Sequence, residues 1–145
     1  MLKYLLIFFV LIACTYQSKA QTGANNGDRQ EFIADMNNFA KKQHLVQQIP
    51  EFKGGAGALY DYLQAHIVYP PQAKKEGLSA LVFVSFRIDA KSGLARDVKV
   101  VQSSNSKFES ETARLIKAMP AWTPAQQGGK SVDMILTIPV YFHLD

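Results

Sequence analysis

Residues 81–89, LVFVSFRID, constrain this chain more than any other stretch. Val82, Val84, Phe86 and Ile88 fall on one side, and Leu81, Phe83, Ser85 and Arg87 fall on the other. A period of two is the mark of a β-strand. A strand needs neighbours, because its backbone N–H and C=O groups must be paired wherever they are buried. Those neighbours are readable nearby. Residues 89–93 suit a hairpin loop, and Val98, Val100 and Val101 mark a returning strand. The closing stretch, residues 132–144, alternates again, with Met134, Leu136, Ile138, Val140, Phe142 and Leu144 on one face.

Helical spacing fills the intervals. Leu59, Leu63 and Ile67 recur at i, i+4 and i+8, beside Tyr60 and Tyr62, after a Gly-rich turn at Gly54, Gly55 and Gly57. Pro70 stops that helix near Val68, and Pro71 opens a short one, PQAKKE, ended by Gly77. Ser106 and Glu109 have capping-box spacing ahead of an apolar face made by Phe108, Thr112, Leu115, Ile116 and Met119. Pro120 ends this helix, and residues 121–131 read as a loop anchored by Trp122.

Upstream, Asp28 and Glu31 repeat the capping spacing, and Phe32, Met36, Phe39 and Ala40 share one face. Lys41, Lys42 and His44 sit where the helix dipole favours positive charge. Docking on its own domain is the expected place for this helix. The expected fold is therefore α+β: a small three-stranded antiparallel sheet of order 2-1-3, with two helices on one face.

Residues 1–20 read as a signal peptide. Lys3 is the basic start, residues 5–13 form the apolar core, and Ser18 and Ala20 suit cleavage before Gln21. The apolar run is about half of the roughly 20 residues a membrane-spanning helix needs. Leu11-Ile12-Ala13-Cys14 is also similar to a lipobox, which makes Cys14 a candidate lipidation site. Residues 21–49 then form a linker and the amphipathic helix, and residues 50–145 form the domain. All six prolines lie at or beyond position 50, so no Pro-rich spacer precedes it.

Composition removes several function classes. The chain carries 16 Lys+Arg against 12 Asp+Glu, with the signs interleaved, whereas a nucleic-acid binder needs a concentrated basic face. The single Cys allows neither an internal disulfide nor a thiolate metal cage. His44, His66 and His143 lack metal-ligand spacing. Ser85 has no Gly-x-Ser-x-Gly elbow around it, and the Gly54 turn lacks the Lys-Ser/Thr of a phosphate-binding loop. No catalytic residue, metal or cofactor is expected. The functional feature that stands out is the last strand. Pro139 has no N–H and so suits a sheet edge, and such an edge can accept an extended peptide.

Taken in order, Pro50-Glu51-Phe52-x-Gly54-Gly55, Tyr69-Pro70, VFVSFRID with Gly93 in its loop, Ala118-Met119-Pro120-x-Trp122-x-Pro124, Gly129-Lys130 and Ile138-Pro139-Val140-x-Phe142 resemble the C-terminal domain of TonB, the periplasmic energy transducer of Gram-negative bacteria. The resemblance covers about residues 50–145. Lys53, Ala80, Thr112, Ala125 and Ser131 depart from the family's usual residues. The resemblance implies a periplasmic, non-enzymatic domain that engages the TonB box of TonB-dependent outer-membrane receptors in support of transmembrane transport. It implies a peptide-binding site at Tyr69, Pro70 and the last strand: Met134, Ile135, Leu136, Thr137, Ile138, Pro139, Val140, Tyr141 and Phe142. The ExbB–ExbD inner-membrane complex and a homodimer are further candidate partners. An envelope assembly module that dimerises through the same edge is the alternative. A cleavable leader and a missing spacer favour a stand-alone binding domain over a full energy transducer.

Overall fold

In the computed structural model, which describes residues 26–42 and 48–144, the strand legible first in the sequence lies at the centre of the sheet. The expected export signal, Cys14 and His44 lie outside the described residues, as do the side chains of Phe39, Ala40, Lys41 and Lys42. The chain forms helices α1 (Asn26–Lys42), α2 (Gly55–His66) and α3 (Pro71–Lys75), then strands β1 (Ala80–Ile88) and β2 (Ala95–Ser103). A 3₁₀ turn (Ser106–Phe108) leads into α4 (Glu109–Lys117), followed by β3 (Ala125–Gln127), β4 (Lys130–Val132) and β5 (Met134–Phe142). The main sheet is antiparallel with order β2-β1-β5, the 2-1-3 arrangement expected.

β1 is buried along most of its length because both neighbours and both faces cover it. Val82, Val84, Phe86 and Ile88 are at most 1% exposed and lie in register with Val140, Ile138, Leu136 and Met134. Phe86 meets Trp122 edge-on at 5.8 Å, and Phe142 tilts against Phe108 at 4.7 Å. The apolar stripe of α4 is buried as its spacing requires, from Thr112 to Ile116. Thr112 satisfies its hydroxyl inside the helix by donating to the Phe108 carbonyl. Leu81, Phe83 and Tyr141, on the opposite face, are buried too. The Tyr141 ring lies 6.4 Å from Tyr60 of α2, which in turn packs on Phe32 of α1. Arg29 of α1 pairs with Asp61 of α2, so α1 docks on the domain.

Some local readings need correction. The 3₁₀ turn is capped by Asn105, whose side chain accepts from the Lys107 N–H, and not by Ser106. α1 begins at Asn26, which places Asp28 within its first turn. The stretch read as a loop contains the β3–β4 hairpin, turned by Gly128 and Gly129 at φ 59° and 73°, a left-handed pair that glycine adopts without strain. The closing strand is accordingly divided at Asp133. The adjacent valines of β2 are explained by a bulge. Register shifts between Phe83 and Val84, which leaves Val101 half-exposed while Val100 packs on the core. A second shift, between Ser85 and Arg87, sets both Asp97 and Val98 against Phe86, and Asp97 takes φ 52°, a conformation tolerated by Asp.

Candidate functional site

The free side of β5 is defined by where its backbone groups point. In an antiparallel pair, hydrogen-bonded and non-hydrogen-bonded positions alternate. Leu81 directs its N–H to Ser104 Oγ and its carbonyl to the Ser104 N–H, both on the β2 side. Its partner Tyr141 is therefore a non-hydrogen-bonded position, with groups directed away from the sheet. The Tyr141 carbonyl confirms this by accepting from Gln64 Nε2 of α2 at 3.1 Å. The β1–β5 register has no break, so Pro139, Thr137 and Ile135 face outward as well. Pro139 thus stands where its missing donor costs the sheet nothing.

This edge is not uniform. Tyr141 and Phe142 are buried, and Tyr141 lies under α2. Thr137 is half-buried, whereas Ile135 is 63% exposed. Among the described residues, no hydrogen bond engages the outward N–H groups of Ile135 and Thr137. The open part is the first half of β5. Arg87 stiffens it from the neighbouring strand. Its guanidinium donates to Asp97 at 2.8 Å and to Asp133 at 2.8 Å, and Asp133 also accepts from the Ala90 N–H at 2.7 Å.

Tyr69 and Pro70 occupy the other end. The Tyr69 hydroxyl donates to the Leu78 carbonyl, and its ring stands edge-on to Phe108 at 5.4 Å and to Phe142 at 6.2 Å. Burial pushes its phenol pKa up. Pro70 precedes α3 and accepts from the Lys74 N–H. α4 holds this segment in place: Glu111 accepts from the Val68 N–H at 2.7 Å, and Arg114 donates to the His66 carbonyl at 3.0 Å. Burial opposes ionisation of Glu111, but bonds from Arg114 and Val68 outweigh it and leave the carboxyl below its ordinary pKa.

The expected site residues are therefore brought together only in part. Tyr69 adjoins Phe142, at the covered end of β5. Ile135 lies seven residues away, roughly 24 Å along an extended strand. Gln64 was missed by sequence reasoning and carries no signal in the sequence, since its role depends on how α2 crosses the end of β5. No group of His, Cys, Asp and Glu among the described residues is arranged to hold a metal ion. No described helix is long and apolar enough to cross a membrane.

Comparison with known proteins gives one family. Residues 65–144 match the Gram-negative bacterial TonB protein C-terminal family. No curated protein matches. Among solved structures, the chain is similar to the solution structure of the Pseudomonas aeruginosa TonB C-terminal domain at 29% identity, over 54% of this chain and 78% of that one, with a TM-score of 0.44. It is also similar to the solution structure of a Helicobacter pylori TonB C-terminal domain at 18% identity, over 86% of this chain and 98% of that one, with a TM-score of 0.48.

Proposed function

The chain belongs to the Gram-negative bacterial TonB protein C-terminal family, and from that premise we propose that it captures an extended segment of a TonB-dependent outer-membrane receptor, adding it as a strand to the free side of β5. The observation that carries this reading is the pair of outward N–H groups at Ile135 and Thr137, unengaged among the described residues, beside the exposed Ile135 side chain. Main-chain hydrogen bonds to such an edge supply affinity, and alternate side chains supply selectivity. The work is binding and not catalysis, and it takes place in the periplasm. Tyr69 and Pro70 support the covered end of the strand. The exported chain begins at Gln21 or at acylated Cys14, which mass spectrometry of the native protein distinguishes.

Isothermal titration of the domain with synthetic peptides copying the periplasmic N-terminal segments of such receptors tests the proposal. Saturable binding by the wild type, weakened in Thr137→Pro, supports it. A concentration-dependent dimer with no peptide affinity would replace it by an assembly module that pairs through the same edge.

A further inference from the structure

We propose that Gln64 sets the register of the captured segment, closing the edge at Tyr141 so that the added strand runs from Pro139 back past Asp133 to Ser131. This rests on the capture reading above and specifies where on the edge capture takes place.

The stop is well built. Only the amide NH₂ of Gln64 can face a carbonyl, so the Gln64–Tyr141 bond fixes the side chain's orientation. α2 cannot easily shift, because Leu59 and Leu63 are at most 1% exposed and the Tyr62 hydroxyl donates to the Ala118 carbonyl at 3.1 Å. An added strand needs the Tyr141 carbonyl as an acceptor, and the Gln64 amide already stands against the outward side of that oxygen. One position earlier in the outward series, Pro139 offers a carbonyl but no donor. The two together mark this end of the edge.

The opposite end continues beyond β5. Gln126 of β3 exchanges both backbone bonds with Gln48, on the far side from β4. Its partner Ser131 is therefore a non-hydrogen-bonded position, directed away from β3. Ser131 has the same residue parity as Ile135, Thr137, Pro139 and Tyr141, and Asp133, which separates β4 from β5, is pinned by Arg87 and by the Ala90 N–H. Exposure follows the same direction: Ser131, Asp133 and Ile135 are exposed, Thr137 is half-buried, and Pro139 and Tyr141 are buried.

The occupant is an extended peptide segment with an apolar side chain to set beside Ile135. A second copy of the chain fits less well. A two-fold pairing of these edges would meet the missing donor of Pro139 twice, and an added peptide meets it once.

The probe is a series of soluble Thr-Val repeat peptides of four, six, eight and ten residues, titrated against wild type and Gln64→Ala, with amide exchange followed by NMR. In the wild type, affinity should stop rising at about eight residues, and bound peptide should protect the amides of Ser131, Ile135 and Thr137. In Gln64→Ala, affinity should keep rising to ten residues, with a gain of roughly two- to tenfold from one more hydrogen bond. An unchanged melting temperature shows that the variant keeps its fold. Identical length dependence in the two proteins, or protection that leaves out Ser131, overturns the register stop while leaving strand capture standing. Absence of binding by every peptide overturns both.

Discussion

Proline substitution at two adjacent positions of β5 separates its inner and outer sides. Thr137 faces outward, so Thr137→Pro removes an N–H that the sheet does not use. The proline ring then projects away from β1 at a half-buried position, and the stability change should stay within about 1 kcal/mol, as for other substitutions that leave the sheet's hydrogen bonds intact. Ile138 faces β1 as the partner of Val84, and both are fully buried. Ile138→Pro loses one ladder hydrogen bond, a net ~0.5–1.5 kcal/mol, and strands the Val84 carbonyl in the core at a further ~1–3 kcal/mol. Lost side-chain packing adds about 1 kcal/mol. The sum, roughly 3–5 kcal/mol, is a large share of the ~5–15 kcal/mol that holds a domain together. Urea denaturation followed by circular dichroism measures both variants, with equal slopes confirming that the same surface is exposed. If Thr137→Pro unfolds the domain while Ile138→Pro does not, the direction assigned to every outward group of β5 is wrong.

Other expectations follow from the core and the loops around it. Phe86, 1% exposed and against Trp122, should cost about 3–5 kcal/mol when truncated to Ala, and a loss under about 1 kcal/mol in the same assay would contradict its place in the core. Gly93 has φ 70°, and a Cβ there would lie 2.1 Å from the Trp122 carbonyl oxygen. Gly93→Ala should therefore destabilise by roughly 2–4 kcal/mol, combining left-handed strain with loss of the Trp122 N–H bond to the Gly93 carbonyl; a neutral result in thermal melts would count against that contact. Glu111 has a lowered pKa in the folded state, so its contribution is complete above its ordinary value of about 4.3 and is lost as pH falls through the folded value. The melting temperature of wild type should fall across that acid window more steeply than that of Glu111→Gln, and parallel curves would show that Glu111 does not anchor Val68.

The main sheet was legible because β1 and β5 alternate with a period of two and the helices carry unambiguous stops at Pro70, Gly77 and Pro120. The β3–β4 hairpin was not. Its strands are three residues each, mostly exposed, and too polar to show alternation, although Gly128-Gly129 is a hairpin turn signal. The bulge at Val101 was hidden for another reason: two adjacent valines fit either face, and only pairing with β1 decides between them. For the site, Pro139 correctly marked an edge strand. The covering of that edge at Tyr141 was invisible, since it depends on a contact between residues 64 and 141 brought about by packing. Tyr69 was legible as important, but its ring serves the aromatic cluster with Phe108 and Phe142.

The most direct test of strand capture is isotope-filtered NMR on the labelled domain bound to an unlabelled receptor N-terminal segment. Capture at β5 predicts intermolecular Overhauser contacts from the peptide backbone to the backbone protons of Ile135 and Thr137, in the alternating pattern of a strand ladder. Contacts confined to Tyr69, Pro70 and the neighbouring end of α4, with β5 unperturbed, would contradict it.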